Sequence, residues 1–262
     1  MTLDDDLALA LRLADAADAI SGADFTGSAL AHRLKADGSP VSDTDEAVEQ
    51  RVREILATER PADGMLGEEV GESGPAGRRW IVDGIDGTVL FVAGQRGWST
   101  QIALEVDGEP VIGVTTSGAD GRRWWAARGS GAWYAVRGGP AERLAVSGRR
   151  VIDGADGRYT LIPPLEVLDP AAGDVIDVAA SGVDVEYVPP REHGALFVAD
   201  GRVEVCVQLG GGPWDFAALS VLVEEAGGRF SDLAGRRDVY GGGPVVFSNG
   251  HVHDDVLAIL AR

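Results

Sequence analysis

Apolar and acidic positions interleave at helical spacing from residue 3 to residue 20, marked by Leu3, Leu7, Leu11, Ala14 and Asp18, and the run is rich in strong helix formers. An amphipathic helix is expected there. A turn-like Ala-Asp-Gly-Ser-Pro at 36–40 precedes a second helix, which starts near Ser42 or Asp43 and runs to about Arg60. Val48, Val52, Ile55 and Leu56 fall on one face of it, its first turn is acidic, and Pro61 ends it. Trp80 to Asp83 reads as a short buried strand that leaves the core into a tight Gly-Ile-Asp-Gly turn. Between Trp98 and Tyr134 the pattern changes to TQIALEV, VIGVTTS, RWWAA and AWYAV, separated by DGEP, ADGR and GSG, which predicts a meander of hairpins. Pro163, Pro164, Pro170, Pro189 and Pro190 interrupt short apolar runs between 148 and 190, and no element is assigned there. Beyond them the pattern gives a strand at Val203 to Leu209, a helix at Trp214 to Ala226 closed by Gly227-Gly228, a strand at Val245 to Ser248 and a helix at Asp254 to Arg262. Such interleaving indicates an α/β or α+β class.

Charge narrows the partners. With 23 Lys+Arg against 42 Asp+Glu the formal charge is −19, so binding to a nucleic acid polymer, which needs a cationic face, is not expected. No apolar run approaches the roughly 20 residues of a membrane span, and the acidic MTLDDDLALA start is unlike a signal peptide, so a soluble cytoplasmic protein is expected. Cys206 is the only cysteine, which excludes an internal disulfide. Lys35 is the only lysine in a chain with 23 Lys+Arg, and its survival singles it out.

Three acidic clusters lie beside strand ends or helix starts: Glu68-Glu69, Asp83 with Asp86, and Asp215. Asp83 and Asp86 sit three apart across a turn, so both carboxylates and the Ile85 carbonyl are able to face one point, an oxygen set suited to Mg²⁺. Taken singly, each cluster is also explained as a solvated turn or a helix cap. The sequence has no GxxxxGK[ST], HExxH or GxSxG motif, the four histidines lack strong ligand spacing, and Cys206 lies mid-strand as an inert thiol.

LGEEVG, then WIVDGIDGT, then PWDFAALSVLVEEAGG resembles, in order and separation, the inositol monophosphatase family with its D-P-I-D-G-T motif. Within that family the chain is most similar to the actinobacterial histidinol-phosphate phosphatases of this type. The resemblance implies a layered α-β-α-β-α sandwich of the inositol monophosphatase and fructose-1,6-bisphosphatase type. It further implies one phosphatase domain over 1–262, with a metal-binding half at about 1–147 and a half bearing the substrate pocket at about 148–262. The implied activity is Mg²⁺-dependent hydrolysis of a small phosphorylated metabolite by activated water, in a homodimer. Two to three ions are implied: one on Glu68, Asp83 and the Ile85 carbonyl, a second on Asp83, Asp86 and Asp215. Asp45, Glu68 and Thr88 would serve catalysis, Gly87 and Thr88 would receive phosphate, and Lys35, His193, Gly194, Ala195 and Gln208 would line the substrate side. The chain departs from the pattern at Gly84, where the family has proline, and at Val89-Leu90, where it has a polar pair. Ala195 and Gln208 stand where acids are expected, which removes partners for a cationic amine and opens the substrate to a sugar or nucleoside phosphate. A nucleotide or 3'-phosphonucleotide phosphatase, or a metal-binding regulatory pseudo-phosphatase, are the rival readings. Gly84 is expected to loosen the metal-binding turn, and Val89-Leu90 to alter packing or the metal surroundings.

Overall fold

A computed structural model of the chain describes residues 2–36, 38–150, 159–162 and 192–261. Most of 148–190, left unassigned above, lies outside the described residues. Helix α1 (Leu3–Asp24) opens on a capping box in which Thr2 accepts from the Asp5 amide and the Asp5 carboxylate accepts from the Thr2 amide. Ser42 and Asp45 make the same box at the start of α2 (Asp43–Glu59). The helices lie within a residue or so of their expected ends, save that α1 runs on for a further turn.

Between the helices, β1 (Arg33–Leu34) and β2 (Pro40–Val41) form a small hairpin that carries Lys35 in its loop. The main sheet contains β3 (Gly64–Gly67), β4 (Gly71–Ser73), β5 (Arg78–Asp86), β6 (Ser99–Val106), β7 (Glu109–Ser117), β8 (Arg122–Ala127), β9 (Ala132–Val136) and β10 (Glu142–Arg143), in the order β10-β9-β8-β7-β6-β5-β3-β4. The meander matches the expected hairpins strand for strand. The Trp80 strand does not turn out of the sheet at Gly84. β5 continues to Asp86, and its register with β6 shifts between Asp83 and Asp86, so a bulge replaces the expected tight turn. A five-residue helix, α3 (Thr88–Val92), follows at once from Gly87, whose φ of 82° is a left-handed conformation that glycine adopts without strain.

The second sheet has the order β11 (Tyr159–Ile162), β12 (Val205–Gln208), β14 (Val245–Ser248), β13 (Arg229–Asp232). Helices α4 (Gly194–Ala199) and α5 (Pro213–Glu225) lie between the two sheets, and α6 (His253–Leu260) covers the outer face of the second. Stacking α1 and α2, sheet, α4 and α5, sheet, α6 gives the expected α-β-α-β-α layering. Each interface has its own apolar seam. Leu9, Leu13, Val52 and Leu56 pack on Trp80, Ile102 and Val114, while Phe216, Leu219 and Leu222 pack among Phe230, Phe247 and Trp124. Trp124 is therefore core. α5 is apolar on almost every side because it is buried by a sheet on each flank.

One buried titratable group ties α6 down. His253 is fully buried and both ring nitrogens lie 2.8 Å from a hydroxyl, Nε2 from Ser231 Oγ and Nδ1 from Ser248 Oγ. Burial pushes its imidazole down to about 4, with the Arg229 charge acting the same way. An unfolded chain takes up this proton near 6.5 and the folded one only near 4, so stability is lost as pH falls through that window. We expect a loss on the order of 2–3 kcal/mol between pH 7 and 4 from this group. Urea unfolding of wild type and His253→Gln at both pH values checks it: the stability difference between them shrinks at pH 4, and an unchanged difference refutes the assignment.

Candidate active site

The carboxyl ends of β3 and β5, the first turns of α2 and α5, and α3 meet at one point beside the main sheet. Asp83 and Asp86 come from the bulged end of β5, and Asp215 from the first turn of α5, where its Oδ2 accepts from the Gly212 amide at 2.6 Å. Ligand oxygens of these three side chains lie within 4.8 Å of one another. Asp83 is 1% exposed and its Oδ1 has no hydrogen-bond partner among the described residues, an uncommon state for a buried carboxylate. Burial, then the charges of Glu68, Asp86 and Asp215, hold its carboxyl well above the usual range. Burial, then Asp86, pushes Asp215 up to about 7. Three clustered oxygen donors, one of them buried and orphaned, fit a hard divalent cation of the Mg²⁺ kind.

Glu68 follows β3 directly, and its amide donates to the Val82 carbonyl at 3.2 Å, which sets it beside Asp83 on the parallel strand. Its carboxylate is paired with Lys35 Nζ at 2.6 Å, and Lys35 also pairs with Glu69. Lys35 is therefore not an idle surface lysine. Burial works against its charge, but the hydrogen bonds and charges of Glu68 and Glu69 outweigh it and raise the pKa.

Asp45 is 1% exposed in the first turn of α2. Its Oδ2 accepts from the Ser42 amide and hydroxyl at 2.9 and 2.5 Å, and its Oδ1 faces the Thr88 hydroxyl at 3.0 Å. Thr88 Oγ is also 2.9 Å from the Ile85 carbonyl, so one proton serves two acceptors. The Ile85 side chain points away, into a pocket of Phe91, Val92 and Trp98. Gly84 has a different part from the loosening expected of it. A Cβ at 84 would stand 2.6 Å from the Asp45 carbonyl oxygen, so the missing side chain lets the first turn of α2 close on β5. Val89 is 63% exposed, and the departure at that position alters the surface beside Thr88 and not the core.

On the far side, His193 caps α4, with Nδ1 accepting from the Ala195 amide at 3.1 Å, and is buried. Burial lowers its pKa against the pull of Asp86. Gln208 ends β12 and is also buried, and its side chain reaches the His193 ring, where it favours the charged form against burial. Gly194 and Ala195 open α4. Ala195 is fully buried in the core between the sheets, so its methyl does not face a substrate as the sequence suggested.

Sequence reasoning missed the polar side chains that steady the acids. Ser99 Oγ and Gln101 Nε2 donate to Asp86 Oδ2 at 3.2 and 3.1 Å, and Thr115 Oγ holds Gln101 Oε1 at 2.6 Å. Thr100 Oγ donates to the Gly84 carbonyl at 2.8 Å. The signal was present: β6 begins with three successive polar residues before its apolar run.

A family model described as the inositol monophosphatase family matches residues 4–262. A histidinol-phosphatase of Mycobacterium tuberculosis is 41% identical over 98% of this chain and 98% of its own length. A Streptomyces griseus protein named glucose-1-phosphate thymidylyltransferase is 43% identical over 88% of this chain and 87% of its own. Among solved structures, an inositol monophosphatase from Zymomonas mobilis superposes with a TM-score of 0.81 at 29% identity, covering 100% of both chains. On a family match that spans nearly every residue and a fold shared over the whole chain, the chain belongs to the inositol monophosphatase family of metal-dependent phosphoric monoester hydrolases.

Proposed function

We propose that the chain hydrolyses the phosphate ester of a small neutral hydroxylated metabolite, a polyol or sugar phosphate, with Mg²⁺ at the acidic cluster. The observation that carries this is the buried, orphaned Asp83 Oδ1 among the converging oxygens of Asp86 and Asp215. Asp83, Glu68 and the Ile85 carbonyl would hold one ion, and Asp83, Asp86 and Asp215 another, with Asp45 near a third. Bound there, such cations polarise a phosphoryl group and make water a stronger acid. The chain's own part is proton handling and positioning. With the Ile85 carbonyl turned to a cation, the Thr88 hydroxyl would give its one proton to Asp45 and keep a lone pair for an incoming water, while Asp45, whose pKa burial raises, is suited to take up a proton. Amides of Gly87 and Thr88 would receive the phosphate. Lys35, on its hairpin, adds positive charge at the Glu68 edge.

The leaving-group side supports a neutral substrate. Gln208 is uncharged and His193 is held toward its neutral form by burial, so neither of them compensates a buried ammonium. Homodimeric assembly, a cytoplasmic location and a division near residue 148 belong to the same reading.

Phosphate release tests it on myo-inositol 1-phosphate, glucose 1-phosphate, histidinol phosphate and a 3'-phosphonucleotide, with and without Mg²⁺. We expect Mg²⁺-dependent turnover, with kcat/KM on a neutral polyol or sugar ester at least about tenfold above histidinol phosphate, the scale of one unpaired polar group. Preference for histidinol phosphate overturns the pocket reading. Absence of turnover on all four, with Mg²⁺ bound, favours a regulatory metal-binding protein.

A further inference from the structure

Asp45 is not the only buried carboxylate on the inner face of α2. Glu49, one turn later, is 0% exposed, and the i, i+4 spacing sets both acids toward the site. Glu49 Oε1 and Oε2 lie 3.2 and 3.1 Å from the Glu69 amide, and Oε2 also accepts from the Val70 amide at 2.9 Å. Those amides begin the turn between β3 and β4, directly after Glu68. Arg53, a further turn along α2, donates to the carbonyls of Val70 and Gly71 at 2.8 and 3.2 Å. Helix α2 thus grips the turn by its amides and by its carbonyls. The fit is close: a Cβ on Gly67 would stand 2.2 Å from Glu49 Oε2. Glu68 is therefore held before it by its own amide on the Val82 carbonyl, and behind it by Glu49. Two successive backbone amides bonded to one buried side chain leave that backbone little freedom to move.

We propose that Glu49 is a positioning residue for Glu68, fixing the backbone of the turn so that the Glu68 carboxylate stays at the acidic cluster where a divalent cation binds. Through Asp45 and Glu49 a single helix would then set two parts of the site, the Thr88 hydroxyl and the Glu68 carboxylate. The proposal rests on the reading of Glu68 as a metal ligand. Groups that orient a ligand from outside the metal's own contacts typically change affinity by 10–100-fold when altered.

Calorimetric titration of the chelator-treated full chain with Mg²⁺ reads this without any turnover. In Glu49→Gln, which keeps the shape and loses one acceptor, Mg²⁺ affinity should fall about 10–100-fold. In parallel the Mg²⁺ concentration for half-maximal phosphate release should rise by the same factor, with kcat at saturating Mg²⁺ within about threefold of wild type. A purely structural role would lower the melting temperature and leave the Mg²⁺ dependence alone. Gly67→Ala, which leaves Glu49 in the chain but pushes its carboxylate aside, should show the same loss of affinity and supplies the test if Glu49→Gln does not fold. Glu54→Gln, on the exposed face of α2 and paired with Arg51, should bind Mg²⁺ as wild type does. Unchanged Mg²⁺ affinity in Glu49→Gln or Gly67→Ala, when Glu68→Gln has lost it, overturns the proposal and leaves Glu68 a ligand. Unchanged affinity in Glu68→Gln itself overturns the underlying reading as well.

Discussion

Asp83→Asn should abolish phosphatase activity by at least about 10³-fold and at the same time raise the melting temperature of the metal-free protein. Loss of activity follows from the place of Asp83, which the proposed function assigns to both ion positions and which is 1% exposed. Several kcal/mol of transition-state stabilisation assigned to the cations corresponds to that factor. The gain in stability follows from the same burial. Without a cation, Asp83 is enclosed with Oδ1 unpartnered and with Glu68, Asp86 and Asp215 nearby, so its charged form is opposed by desolvation and by like charges together. An isosteric amide removes the charge and adds a donor that Asp86 or Asp215 is placed to accept. An increase of about 1–3 kcal/mol is expected for relieving such a buried group. Thermal unfolding in chelator, with activity measured in Mg²⁺, checks both halves. A variant that is inactive and also less stable without metal would mean that Asp83 serves the fold, and that the cage stores no strain.

Much of this was legible in the sequence, because the informative residues report on local chemistry. Ser42 marks the start of its helix, and the hairpins from Ser99 to Val136 follow from strand-forming runs set off by turn residues at regular spacing. What escaped depends on contacts between distant segments. The short strands β3 and β4 carry almost no periodic signal and exist because β5 gives β3 a partner and β3 in turn gives one to β4. Gly84 looked like a loosened turn until the Asp45 backbone was found against it. Ala195 faces the core because α4 begins at Gly194, a rotation that sequence spacing alone does not fix. Glu49 was hidden among the acids of an amphipathic helix, since only the fold brings the Glu69 and Val70 amides to it.

The acidity of the site predicts how metal and pH act together. Asp215, pushed up to about 7 from 3.8, binds a proton in the folded, metal-free protein across a window where the unfolded chain does not. Its charge therefore destabilises the metal-free protein as pH rises from about 4 to 7, and the penalty is absent below about 4. Added Mg²⁺ reverses the sign, because the cation competes with those protons and is bound more tightly as they leave. At a free Mg²⁺ concentration of 100 Kd the gain is about 2.7 kcal/mol, which is roughly 5–10 °C in Tm for a chain of this size. At fixed Mg²⁺ we expect this gain to grow between pH 5 and pH 8. Asp215→Asn should weaken Mg²⁺ binding and remove part of the pH dependence, and taking the difference between it and wild type cancels the opposing contribution of His253. Differential scanning of both proteins at pH 5, 6.5 and 8, in chelator and in Mg²⁺, decides the matter. A Mg²⁺ gain independent of pH would show that the acids are already ionised when the cation arrives, and that the cluster is open to water.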